Sequence, residues 1–166
     1  MIYDNSRVRR QDRLLDADRA QELLQSGEYG VLSVVAAGET DGQPAAYGIP
    51  VNFVWDGEDS LYIHCAPEGE KLRCIAANPE VSFCIVGRTN VLGSKFTTEY
   101  ESVVIRCHAR TGLSPEERMN ALKLLLGKYS PDDMAIGMKY AEKSFHRTEI
   151  IRLDIRSVSG KSKRVG

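Results

Sequence analysis

Apolar and polar positions along the chain follow two rhythms, and the switches between them mark the elements. Tyr29 to Ala37 (YGVLSVVAA) is β-branched and apolar, which predicts a strand. Asp41-Gly42 supplies a hairpin turn, and Pro44 to Trp55 returns as a second strand interrupted by Gly48 and Pro50. A proline inside a strand implies an edge, a bulge, or a place where something other than the ladder takes the hydrogen bonds. Leu61-Tyr62-Ile63 opens a third strand after the turn at Asp56 to Asp59. Val81 to Val86 forms a fourth and Tyr100 to Arg110 a long, well-alternating fifth. Glu149 to Val158 alternates apolar with charged residues, a sixth strand with one wet face. Gly87 to Thr98 is polar and irregular and reads as a loop, and Gly160-Lys161 ends the ordered part.

The helical rhythm enters between these runs. A short helix starts near Asp16 or Asp18, carries Ala20, Leu23 and Leu24 on one face and closes at Gly27. A second follows Gly69 through Lys71, Leu72, Ile75 and Ala76 and stops at Asn78-Pro79. Ser114-Pro115-Glu116-Glu117 is a strong start signal: the serine caps, proline fits the first position and Glu117 completes a capping box. Met119, Leu122, Leu125, Leu126 and Tyr129 then share a face. Ser130-Pro131-Asp132-Asp133 starts another helix with Met134, Met138 and Ala141 inward, a stripe that reads as core. There is no βα series and no internal repeat. The expected architecture is mainly β with helices, a six-stranded antiparallel barrel with helices packed outside.

At 166 residues the chain is expected to be one domain, residues 1–166, with an extended arm over 1–15 and a basic tail over 161–166. Composition adds little else: 42% hydrophobic and 27% charged residues fit a soluble globular protein. A formal net charge of −1 argues against nucleic acid as the main partner, and the basic ends (Arg7 to Arg13, Lys161 to Arg164) read as solvated termini. No apolar run approaches the roughly 20 residues a membrane span needs. The start of the chain lacks the apolar centre of a secretory signal, so a cytoplasmic protein is expected. Cys65, Cys74, Cys84 and Cys107 have no C-x-x-C spacing and read as small buried residues.

The chemistry concentrates at one junction, Ile63-His64-Cys65-Ala66-Pro67-Glu68-Gly69-Glu70-Lys71. Here a strand breaks and a helix begins. Amides at a helix start are unpaired and carry the positive end of the dipole, so they attract anions. Lys71 in the first turn adds a movable cation. The junction is read as the phosphate site of a mononucleotide cofactor. Taken alone, Lys71 has the competing reading of a solvated helix lysine, and His64 that of a histidine hydrogen-bonded at a strand end. Asn52 has a competing role inside a bulge. His108 and His146 are assigned nothing. There is no P-loop, nucleophile elbow or G-x-G-x-x-G, so kinase, hydrolase and Rossmann readings lack a basis.

The ordered set of segments resembles the pyridoxamine 5′-phosphate oxidase-like FMN-binding split-barrel family, and within it the nitroimidazole-reductase branch. The segments are Arg9-Arg10-Gln11-Asp12-Arg13, Pro50-Val51-Asn52-Phe53, the junction above, Asn78-Pro79, Tyr100-Glu101-Ser102-Val103, and the closing Ile-Arg-Leu-Asp-Ile with Gly160-Lys161. The resemblance implies a six-stranded split β-barrel that forms a homodimer and binds FMN at the subunit interface. Lys71, with Ala66 and Gly69, would hold the phosphate. Val51, Asn52 and Phe53 would lie along the isoalloxazine edge, Tyr100 and Ser102 would line the site, and His64 would orient or protonate a substrate. The chain lacks the Ser-Arg-Lys phosphate cluster and the C-terminal Trp and Arg of the better-known oxidases, which argues against vitamin B6 phosphate oxidation. The implied function is FMN-dependent reduction of a small organic acceptor, such as a nitroimidazole or other nitroaromatic, with NAD(P)H as donor. The alternative is a non-catalytic flavin- or haem-binding module, with a haem-degrading or deazaflavin-using relative as a third reading.

Overall fold

A computed structural model describes residues 2–36 and 43–165. Strands β1 (Gly30–Ala36), β2 (Ala45–Val51), β3 (Val54–Trp55), β4 (Ser60–Cys65), β5 (Glu80–Leu92), β6 (Thr97–Arg110) and β7 (Glu149–Lys163) form one antiparallel sheet. Its order is β2-β1-β5-β6-β7-β4-β3. The α-helices among the described residues are α1 (Ala17–Ser26), α2 (Glu70–Ala77), α3 (Pro115–Tyr129) and α4 (Met134–Ser144). The Asp41-Gly42 turn lies outside the described residues; β1 and β2 on either side of it pair from Ala36↔Ala45 to Gly30↔Val51.

The fold is mainly β with helices, as expected, with seven strands where six were read. The extra strand comes from Pro44 to Trp55. That run divides at Asn52-Phe53, so β2 pairs with β1 at one edge of the sheet and β3 pairs with β4 at the other. Two residues therefore tie the two edges together while the sheet itself stays open. This is the split of the barrel, and the proline-bearing strand does lie at an edge.

Two further expectations are corrected. Gly87 to Thr98 is not a loop: β5 runs on to Leu92 and β6 starts at Thr97, with a register shift between Val86 and Thr89. The polar composition misled because this part of the hairpin is exposed on both faces. Order also does not end at Gly160-Lys161, since β7 continues through Lys163. Its second half is held by β6 and by the N-terminal arm. Asp4 N–H donates to the Val158 carbonyl (2.8 Å), Gly160 N–H to Asn5 Oδ1 (2.9 Å), and Leu14 bridges Lys161.

The core follows from strand alternation. Along β6, Glu101, Val103, Ile105, Cys107 and Ala109 face in, while Val104, Arg106 and Arg110 face out. Leu32, Phe83, Ile85, Ile151 and Leu153 meet them, and α1 adds Ala20, Leu23 and Leu24. Phe53 packs edge-on to Phe83, with ring centroids 5.0 Å apart. A second, smaller cluster lies on the other face of β4, where Tyr62, Val54 and Ile150 meet Ala121 and Leu125 of α3.

Ser114 caps α3, its Oγ accepting from the Glu117 amide (3.1 Å). The reciprocal half of the capping box is absent, because the Glu117 carboxylate accepts from Arg152 (2.6 Å) and Tyr62 (3.2 Å). A charged partner outbids the serine amide. No helix is long and apolar enough to cross a membrane among the described residues.

Candidate functional site

The β4–α2 junction owes its shape to Gly69. This residue sits at φ +144°, ψ 171°, a conformation essentially restricted to glycine, with open space where a Cβ would be. Because glycine is also the N-cap of α2, the first amides of the helix have no side-chain cap among the described residues. Those donors remain available to an external acceptor. Lys71 stands in the first turn and makes no ion pair or hydrogen bond among the described residues. Glu70, the one acidic residue in that turn, is drawn off by Arg73. The corner thus has unspent positive character.

His64 and Cys65 lie just before the corner on β4. Burial lowers the imidazole pKa below its ordinary value, and the nearby Lys71 charge lowers it further. His64 is therefore mainly neutral at pH 7, and it makes no hydrogen bond among the described residues. Burial raises the Cys65 thiol, with Lys71 opposing, so the thiolate is disfavoured. No group of three metal-ligand side chains comes together among the described residues.

The other sequence-selected residues divide. His64, Ala66, Gly69 and Lys71 are together, and Asn52 shares a cleft with His64. Asn52 Nδ2 donates to the Glu28 carbonyl (2.9 Å). Val51 ends β2 opposite Gly30. Phe53 is fully buried, and its backbone is already engaged. Its N–H donates to Tyr129 Oη (3.0 Å), and its carbonyl accepts from Lys128 Nζ (2.9 Å) and lies 2.8 Å from the same Tyr129 hydroxyl. Tyr100 and Ser102 are remote within one chain. Ser102 pairs with Lys161 near one end of β7, whereas Cys65 pairs with Glu149 at the other. That separation is roughly 40 Å of strand contour at about 3.3 Å per residue.

Sequence reading missed two groups of residues. Lys128 lies over the Phe53 ring (3.8 Å to the centroid), and burial pulls its ammonium down to about 8. The second group lines a cleft of about 330 Å³ roofed by α3 and α4, with His64 in its wall. Its signal was present: the run Leu124-Leu125-Leu126 is broader than a single helical stripe, so α3 has more apolar surface than one contact can cover.

A family model described as pyridoxamine 5′-phosphate oxidase matches residues 16–162. The chain belongs to the pyridoxamine 5′-phosphate oxidase family. No curated protein matches it significantly. Among solved structures it is similar to a candidate 5-nitroimidazole antibiotic resistance protein from Bacteroides thetaiotaomicron, at 20% identity over 90% of this chain and 86% of that one, TM-score 0.72. It is similar to an FAD-binding protein from Mesorhizobium loti, at 22% identity over 92% and 98%, TM-score 0.59. It also resembles an FAD- and haem-binding protein from Mycobacterium smegmatis, at 19% identity over 92% and 74%, TM-score 0.66. At such identities the likeness speaks for the fold. For the family, the unspent donors of the β4–α2 corner fit a phosphate-bearing cofactor.

Proposed function

We propose that this member of the pyridoxamine 5′-phosphate oxidase family is an FMN-dependent oxidoreductase. It would act as a homodimer and reduce a small organic acceptor, a nitroaromatic such as a nitroimidazole, with NAD(P)H as donor. One observation carries the reading: Lys71 and the uncapped first amides of α2, without partners among the described residues, share one corner with a neutral imidazole that makes no hydrogen bond among them. Lys71 and the amides following Gly69 would hold the phosphate. When bound, the flavin supplies the two-electron chemistry. His64 would hydrogen-bond the acceptor and control a proton at its ring nitrogen. Two features favour a second copy. Tyr100 and Ser102 lie far from the corner within one chain, so they would line it only from a second copy, and the outer sheet face exposes Val86 and Val104.

The test is spectroscopic. FMN added to the protein should give a bound-flavin spectrum, and Lys71→Ala should weaken binding by about 1.5–3 kcal/mol, roughly 10- to 140-fold in Kd. NADPH should bleach the flavin and a nitroimidazole restore it, with His64→Ala slowing turnover while sparing FMN affinity. Unchanged FMN affinity in Lys71→Ala would remove the phosphate assignment. Flavin binding with no bleaching would favour a carrier or sensor.

A further inference from the structure

The α3–α4 cleft is built unlike the rest of the surface. Leu122, Leu125 and Leu126 form one wall and Tyr140 and Ala141 the other, with His64 between them. None of its lining side chains carries a full charge, since burial and Lys71 keep His64 neutral. Most polar atoms at its edge are already spent. Ser144 Oγ donates to the Tyr140 carbonyl (2.8 Å) and Thr148 Oγ1 to the Ser144 carbonyl (3.0 Å). Asn52 uses its amide nitrogen on Glu28, which leaves its carbonyl oxygen, the imidazole and the Tyr140 hydroxyl as the polar groups of the lining without a hydrogen bond among the described residues. Gly137 lets the helices approach: a Cβ there would come within 2.6 Å of Leu126 Cδ2, in the wall itself. At about 330 Å³ the cleft is at the small end of ligand sites, which are mostly apolar with a few placed polar groups.

We infer that this cleft binds the electron acceptor and selects it for being small, flat and uncharged. The inference rests on the oxidoreductase reading for the role of the ligand, while the selectivity comes from the lining. A carboxylate or phosphate would lose its hydration there with no cation in the wall to compensate. A neutral aromatic would bury its ring against the leucines and present one or two heteroatoms to His64 and Asn52.

Nitrobenzene and 4-nitrobenzoate, which differ by one carboxylate, are the probes, and amide NMR of the protein as isolated is the readout. Nitrobenzene should shift His64, Leu126 and Gly137, and 4-nitrobenzoate should bind at least about tenfold more weakly. Leu122→Phe, which fills the cleft from α3, should weaken nitrobenzene binding at least about tenfold while leaving the bound-FMN spectrum unchanged. Gly137→Ala, which pushes Leu126 inward, should act in the same direction. Equal binding of the two probes, shifts confined to another surface, or an indifferent Leu122→Phe would overturn the inference. FMN binding with nitrobenzene mapped elsewhere would sink the cleft and spare the flavoprotein. A protein that takes no FMN yet binds nitrobenzene at His64 would sink the flavoprotein and support the cleft.

Discussion

Glu101→Gln removes a charge from a place where the fold has committed to it. Glu101 occupies an inward position of β6 and is 7% exposed. Its carboxylate accepts from Arg19 Nε (3.0 Å), from an Arg19 terminal nitrogen (2.5 Å) and from the Arg88 amide (3.2 Å). Glutamine keeps the shape but turns an NH₂ towards a guanidinium, so at least one charge-assisted bond is lost, about 1.5–3 kcal/mol. Breaking a wholly buried pair costs about 3–5 kcal/mol. The Arg19 side chain is 35% exposed, so water solvates the orphaned cation and the expected cost falls to about 2 kcal/mol.

For a domain of this size that is a loss of about 4–8 °C in thermal midpoint at pH 7, measured by circular dichroism. The Arg19 bonds hold the Glu101 pKa below its ordinary value, outweighing the opposing effect of burial. A carboxylate depressed in the folded state stabilises above its unfolded pKa and loses that contribution as pH falls through the folded value. The gap between wild type and variant should therefore be flat from about pH 5 to 8 and shrink below about pH 4. A midpoint within about 1 °C of wild type at pH 7, or a gap that does not narrow in acid, would refute the reasoning.

Two more substitutions probe local contacts. Ser114→Ala removes the cap of α3 and should cost about 1 kcal/mol in urea unfolding, with an unchanged slope. Tyr129→Phe leaves the Phe53 amide without its acceptor inside the protein and should cost about 1–2 kcal/mol; an unaltered midpoint would mean that the contact contributes nothing.

What could be read from the sequence was what neighbours along the chain decide. The alternation of Tyr100 to Arg110 predicted β6, the Ser114-Pro115 signal placed the start of α3, and Asn78-Pro79 ended α2. The strand-to-helix break before α2 was also visible, because Gly69 shapes that turn by itself. What failed depends on distant partners. Gly87 to Thr98 is strand because its hairpin strands pair with each other, which polarity does not report. Glu117 left its capping box for Arg152, 35 residues away. Cleft residues such as Leu122 and Leu126 read only as one apolar helix face, because helical periodicity shows which face is apolar, not whether a neighbour covers it.

The split at Asn52-Phe53 connects these failures to the site. A strand that leaves one sheet edge and joins the other must pass two residues without ladder bonds, and buried backbone groups need partners. Here α3 provides them, through Lys128 and Tyr129 on Phe53, about 75 residues along the chain. Tyr129 thereby fixes the end of α3, and the same helix holds Leu122 and Leu126 over His64. The seam of the barrel and the roof of the cleft are thus set by one helix. A relative that satisfied Phe53 differently would be free to move α3, and with it the ligand selectivity, while keeping the sheet and the β4–α2 corner. Divergent chemistry on a constant barrel then has a physical route, through the helix that closes the seam and not through the strands.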